Sequence, residues 1–387
     1  MSTEFIKMIS DWQKIKYSQT MQTLAANKTP CGCFLAPFRP NDVDGFRRFF
    51  NKCRINFTHF CVLNDEHKKL VQPAEGEHVV TLEEFAALDE KPEYMFILKG
   101  FFPLMFMDYF KSHGTIMFGY NGAHKAEDRY NFYMAHLPEL YDVHEMLADD
   151  ESKKVFCAAI TGKITNIVQD FRFAPEPQYF LDGFLPTEGD IAIDGGAFDG
   201  ATSADFARQG AQVFAFEMDA TNYQRCLVPA EKFGFTIENL GLSNQAGEAR
   251  YSGSGGVGSR KLANDSGGGV VGHFIDLDTY VAQKNLPRVD YIKLDIEGAE
   301  LDMLHGAAKT ITRWKPKMAV SAYHKPEDLW TLATYIKSLR GDYEFQFRHY
   351  RIDCTNYLLS DNARSICKSF GLNYFCPSNC EMVLYCK

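Results

Sequence analysis

Residues 191–200 read Ile-Ala-Ile-Asp-Gly-Gly-Ala-Phe-Asp-Gly, and no other stretch narrows the possible folds as much. The apolar run Ile191–Ile193 is too short for a helix and suits a buried strand. After Asp194 a glycine-rich turn opens into a helix over 201–209, where Thr202 and Asp205 have the spacing of a capping box. Gly195, Gly196 and Gly200 remove side chains where a ligand can lie against backbone amides at a helix start. A strand, a glycine turn and a helix in that order open a ligand-binding α/β sheet.

The chain after Asp190 keeps that rhythm. Strand 191–194, helix 201–209, strand 212–217, helix 220–232, strand 235–240, a hairpin-like excursion over 248–275, helix 276–284, strand 289–295, helix 299–312, strand 316–322, helix 326–339 and strand 343–349 follow one another. Such alternation predicts a mostly parallel, doubly wound sheet with ligands at the carboxyl ends of its strands. At 387 residues the chain exceeds one typical domain. Its amino-terminal part reads as a helix over 1–25 and an irregular lead-in over 29–40 broken by Pro30, Gly32, Pro37 and Pro40. Helix 42–53, strand 57–63, helix 82–88, strand 94–98, helix 103–112 and strand 115–118 then form a smaller Rossmann-like layer. Helices over 138–147 and 151–160 and the Pro- and Gly-containing stretch 171–188 connect the two. The expected organisation is an amino-terminal α/β domain over 1–125, a helical bridge and linker over 126–188, and the main domain over 189–387.

Composition removes several functions. A formal charge of −9 and a pI near 5.7, without a Lys/Arg cluster, argue against a nucleic-acid partner. The first 25 residues carry charges throughout with no apolar signal region, and no stretch approaches a membrane span, so a soluble cytoplasmic protein is expected. Eleven cysteines without a CxxC pair point to reduced thiols. The smaller layer has no glycine fingerprint after strand 57–63, which favours a platform for homodimerisation or substrate orientation over a second cofactor site.

The acid in the opening turn bears on the chemistry. A dinucleotide fingerprint brings a pyrophosphate against bare amides, and the carboxylate of Asp194 would repel it. A ligand with a positive centre fits better, and S-adenosylmethionine carries both an ammonium and a sulfonium. Glu217, which ends the second strand 23 residues later, is placed to accept from ribose hydroxyls. The segment Val289–Glu300 delivers Lys293, Asp295 and Glu297 to the same sheet edge, where alternate residues share a face if the strand stays extended. A structural pair between Lys293 and an acid is the competing reading. Strand 316–322 delivers His324, the candidate general base for a hydroxyl acceptor. Asp295, Glu297 and His324 also form a possible divalent-cation set. The segment 252–270, with seven glycines, reads as a loop beside the pocket, either a lid or a solvent loop. Arg348 reads as a paired core arginine or a substrate contact.

Together these motifs resemble the FkbM family of S-adenosylmethionine-dependent methyltransferases. The matching residues are Ile193–Gly200, Ala215–Glu217, Gly241–Ser243, Leu277–Asp278, Ile292–Glu300 and Tyr323–Trp330. The resemblance covers about 145–350 plus the last strand, and implies a class I methyltransferase sheet of seven strands with the last antiparallel. It also implies that Asp194, Gly195, Gly196, Ala197, Phe198, Gly200 and Thr202 cradle the methionine part, and that Glu217 and Met218 lie at the ribose. Leu240, Gly241, Leu242 and Ser243 then lie near adenine, and Asp295 borders the cofactor. Met218 and Asp219 depart from the family's usual proline after the acid, and an insertion over 351–379 precedes the final strand. Cys354, Cys367, Cys376 and Cys380 in or beside it have no familiar zinc spacing. The expected activity is O-methylation of a hydroxyl on a sugar, glycoconjugate or other natural product, with small-molecule or glycan acceptors. N-methylation of an amine or peptide and non-catalytic nucleotide binding remain alternatives, and a nicotinamide dehydrogenase is disfavoured by Asp194.

Overall fold

The computed structural model describes residues 2–3, 5–8, 23–36, 39–97, 104–119, 126–165, 167–252, 269–353, 365, 368–370, 372, 375–376 and 381–387. The chain divides into two compact units, 1–141 with 154–174 and 349–380, and 142–153 with 175–348 and 381–387. Most of the stretch 9–22, of the loop 253–268 and of the insertion after Asp353 lies outside the described residues.

The first unit is built on a parallel sheet of β1 (Cys31–Leu35), β2 (Phe57–Val62), β3 (His78–Thr81), β4 (Tyr94–Ile97) and β5 (Ile116–Gly119), in the order β3-β2-β1-β4-β5. Alternate residues feed opposite cores: Phe34, Cys61 and Met95 pack with helices Leu82–Ala86 and Met107–Ser112, while Cys33, Phe60 and Phe96 pack with helix Pro40–Cys53. The central strand β1 is where sequence reasoning expected an irregular lead-in. All five of its residues are buried, so it shows no polar alternation. Gly32 fits a close approach there, since a Cβ would lie 3.0 Å from the His59 carbonyl oxygen.

The second unit holds a seven-stranded sheet. In chain order its strands are β6 (Ile191–Gly195), β7 (Gln212–Phe216), β8 (Thr236–Glu238), β12 (Tyr291–Leu294), β13 (Lys317–Ser321), β14 (Phe345–His349) and β17 (Met382–Cys386). Between β8 and β12, a small sheet of β9 (Gly241–Leu242), β10 (Gly247–Tyr251) and β11 (Val270–Ile275) forms the expected hairpin excursion. A short pair, β15 (Ile352–Asp353) with β16 (Phe375–Cys376), belongs to the first unit. The spatial order is β14-β17-β13-β12-β6-β7-β8, with β17 antiparallel to β13. The sheet is therefore the expected class I methyltransferase type, an α/β sheet of seven strands with the last antiparallel.

Three local expectations are corrected. Helix Ala201–Arg208 is not opened by a capping box, because Thr202 already sits inside it; Gly200 at φ 80° is the N-cap, and Asp199 Oδ1 accepts the Ala201 N–H at 3.1 Å. The helix expected over 299–312 is two, Glu300–Gly306 and Ala308–Trp314. Asp278 accepts from the Lys309 and Thr310 N–H groups at 2.9 and 2.8 Å, which caps the second helix from outside. Pro326 precedes helix Asp328–Leu339 rather than starting it, and Asp328 Oδ2 accepts the Lys325 N–H at 2.6 Å.

Candidate functional site

β6, β7, β12 and β13 run parallel side by side, so the residues just after them meet at one edge. Leu294 pairs with Gly195, which sets Asp295 against the glycine turn. Here the glycines are dictated by crowding: at Gly196, φ 80°, a Cβ would lie 1.8 Å from the Asp295 carbonyl oxygen. Gly195 is covered by Leu294, Leu242 and Ile296, whereas Gly196 and Phe198 are half-buried and border the edge.

Asp194 does not face that edge. It is fully buried, its Oδ1 lies 2.9 Å from Lys293 Nζ, and its Oδ2 accepts from Ser203 Oγ at 2.5 Å. Lys293 Nζ also donates to the Gly196 carbonyl at 2.7 Å. Burial pulls the Lys293 ammonium toward neutrality, but Asp194 and Asp295 outweigh it and hold its pKa above the ordinary range. The acid that seemed to select a cationic ligand thus has its counter-charge inside the protein. The pair staples β6 to β12 and fixes the carbonyls of the turn.

Glu217 joins two loops. Its Oε2 accepts the Phe198 N–H at 2.9 Å and its Oε1 the Asp219 N–H at 2.8 Å. Burial pushes its pKa up to about 7, against the pull of these two amides. A carboxylate offers about four lone-pair sites, so two remain for a ligand's hydroxyls. The side chain thus ties the glycine turn to the loop that carries Met218. Leu242 packs over Gly195, while Leu240 is half-buried; Gly241 is set by packing, since a Cβ there would lie 2.5 Å from the Phe274 ring.

The opposite flank gathers acids around His324. The extended run expected through Glu297 ends at Leu294, and Glu297 takes φ 56° in a turn. Asp295 accepts from Tyr179 Oη at 2.7 Å and from Tyr323 Oη at 3.1 Å. His324 Nε2 lies 3.5 Å from Asp295 Oδ1 and 3.4 Å from Glu297 Oε2, while Nδ1 lies 2.9 Å from Glu300 Oε1. Burial opposes the imidazolium, but Glu300, Asp295 and Glu297 overcome it and raise the His324 pKa to about 9. A ring so charged near neutral pH is a poor acceptor of a hydroxyl proton. Sequence reasoning missed four members of this group. Glu300 was visible at the end of the Asp295–Glu300 motif. Tyr179 and Gln178 lie in a segment read as linker, and Glu381 enters because the antiparallel β17 starts at this edge. Burial, followed by the charge of Asp295, raises Glu381 to about 7. Arg348 is a paired arginine, 2.6 Å from Ser152 Oγ.

Residues 194–352 match the family model described as the methyltransferase FkbM domain. That segment is similar to a methyltransferase FkbM domain. Among solved structures, the FkbM methyltransferase of Methylobacillus flagellatus superposes over 100% of this chain and 99% of its own, with TM-score 0.63 at 18% identity, a likeness of fold. A putative rRNA methylase from Clostridium thermocellum covers 52% of this chain and 87% of its own at 12% identity and TM-score 0.32. An rRNA methylase from Streptococcus thermophilus covers 55% and 98% at 12% identity and TM-score 0.33. No curated protein matches the sequence. Among the described residues, no helix is long and apolar enough to cross a membrane.

Proposed function

We propose that this protein is an S-adenosylmethionine-dependent O-methyltransferase acting on a hydroxyl of a sugar, glycoconjugate or similar natural product. The observation that carries the reading is one edge with two unlike flanks. On one, Glu217 and the amide-bearing turn Gly196–Gly200 offer acceptors and donors suited to a nucleoside. On the other, Asp295, Glu297 and His324 present polar groups suited to an acceptor.

S-adenosylmethionine supplies the electrophilic methyl group when bound. Glu217 holds the ribose hydroxyls, with Met218 beside it. The turn Gly196–Thr202 takes the amino-acid part through its backbone, and Leu240–Ser243 borders the base. Asp194 and Lys293 act behind this surface, as a buried pair that sets the turn's carbonyls. At the acceptor side, the hydroxyl lies against the Asp295–Glu297 carboxylates, and its proton passes to that pair. Tyr179 and Tyr323 fix the Asp295 oxygens, so the acceptor oxygen meets a preset surface.

The test is calorimetry with S-adenosylhomocysteine, followed by a screen of sugar and amine acceptors with labelled methyl donor. Micromolar binding and label on a hydroxyl are expected. Failure to bind the demethylated product refutes the methyl-transfer reading, and label carried only by amines refutes the O-acceptor.

A further inference from the structure

Five carboxylates converge on a single imidazole at the acceptor flank. Asp295, Glu297 and Glu300 act directly on His324, and Asp328 and Glu381 feel the same charges. Lys293, the buried cation nearest to them in sequence, is paired with Asp194 at 2.9 Å. Three atoms in this group are buried without a hydrogen-bond partner among the described residues, and one of them, His324 Nδ1, faces Glu300 Oε1 at 2.9 Å. His324 Nε2 belongs to a side chain only 9% exposed, and Glu300 Oε2 to one fully buried. Leaving such atoms unbonded is costly unless a ligand completes them.

We infer that this flank is a divalent-cation site, with His324 Nε2, Asp295 and Glu297 as ligands and Glu300 holding the ring from behind. The cation's use, though not its binding, rests on the methyl-transfer reading above. Nε2 lies 3.5 Å from Asp295 Oδ1 and 3.4 Å from Glu297 Oε2, too far for hydrogen bonds of ordinary length. In octahedral geometry two cis ligands about 2.1 Å from one ion stand about 3.0 Å apart, so side-chain shifts of a few tenths of an ångström bring these atoms onto a shared ion. One ligand atom each from Asp295, Glu300 and His324 lie within 4.8 Å of one another.

The surroundings fit the same assignment. Glu300 Oε1 faces Nδ1 at 2.9 Å and is itself held by the Ile296 N–H at 2.9 Å. That arrangement, a carboxylate behind a ligating histidine, fixes the ring through Nδ1, and the cation takes the place of the Nε2 proton, which is released on binding. Tyr179 and Tyr323 steady the Asp295 ligand in the same way. Two carboxylates and one imidazole suit Mn2+ or Mg2+ better than a soft ion, and three protein ligands leave positions open for an acceptor oxygen. With the cation bound, Asp295 and Glu297 are ligands rather than proton acceptors; an acceptor oxygen bound there would have its pKa lowered and would give its proton to solvent.

The test uses Mn2+ alone, titrated into the full chain and followed by electron paramagnetic resonance without cofactor or acceptor. One Mn2+ per chain is expected. Glu297→Gln, in a half-exposed turn, and Asp295→Asn should each weaken binding at least tenfold, and Glu300→Gln by about tenfold. Asp342→Asn, at the surface of the same unit, should leave it unchanged, with thermal midpoints confirming that every variant is folded. Absence of stoichiometric Mn2+, or binding indifferent to Asp295→Asn and Glu297→Gln, overturns the site. Stoichiometric Mn2+ in a protein that fails to bind S-adenosylhomocysteine keeps the cation site and refutes the methyl-transfer reading instead.

Discussion

Glu217 makes the cofactor reading sensitive to pH in a calculable way. Its carboxyl is 7% exposed, and its pKa rises from 4.5 to about 7 because burial disfavours the charged form. The folded protein therefore holds this proton more tightly than the unfolded chain. The stabilising contribution is fully present below pH 4.5 and is lost as pH rises to about 7. The full difference is about 3 kcal/mol, from 1.36 kcal/mol per pKa unit. Ribose hydroxyls that donate to the ionised carboxylate reverse part of that cost, so binding should favour the deprotonated form. About one molecule in eleven is ionised at pH 6 and ten in eleven at pH 8, which predicts a roughly tenfold tighter Kd, or about 1.4 kcal/mol.

The assay is calorimetric titration of S-adenosylhomocysteine into wild type and Glu217→Gln at both pH values. Wild type should tighten about tenfold and release a proton on binding, visible as a dependence of the heat on the buffer. The variant should bind more weakly and share only the change due to the ligand's own amino group. A wild-type Kd that does not move with pH refutes the reasoning. An equal shift in Glu217→Gln does so too, because the titrating group then lies on the ligand.

Removing one member of the buried Asp194–Lys293 pair, by Lys293→Met, should cost about 3–5 kcal/mol and lower the calorimetric unfolding midpoint, while Asp194→Leu combined with Lys293→Met should recover much of it. Gly196→Ala should abolish S-adenosylhomocysteine binding in a chain that still shows its helix and sheet signals by circular dichroism, because its Cβ would meet the Asp295 carbonyl at 1.8 Å. Tyr179→Phe removes the hydrogen bond to Asp295 and should lower kcat about tenfold with little change in KM for the methyl donor, measured by label transfer.

Periodicity and glycine punctuation made the second unit legible, because each strand there is short, apolar and closed by a turn residue that the backbone requires. β1 was not legible for the opposite reason: five buried residues framed by prolines show no period. The site divides along the same line. Asp295, Glu297 and His324 follow strands and could be placed by counting, whereas Tyr179 reaches Asp295 across 116 residues from an aperiodic segment and Glu381 arrives on a strand that runs backward. Orientation was the harder quantity. Asp194 and Asp295 both stand at strand ends, yet one is sealed against Lys293 and the other faces the site. A sequence shows that an acid stands at an edge; which way it points depends on where its nearest cation is buried. Lys293 is paired across the sheet with Asp194 and precedes Asp295 by two residues, and its short contact with Asp194 leaves the His324 flank rich in negative charge. The same ion pair that accounts for the shape of the turn therefore accounts for the electrostatic demand of the acceptor side, and Lys293→Met should disturb Mn2+ binding as well as stability. A Lys293→Met protein that keeps wild-type Mn2+ affinity would show that the two flanks are electrostatically independent.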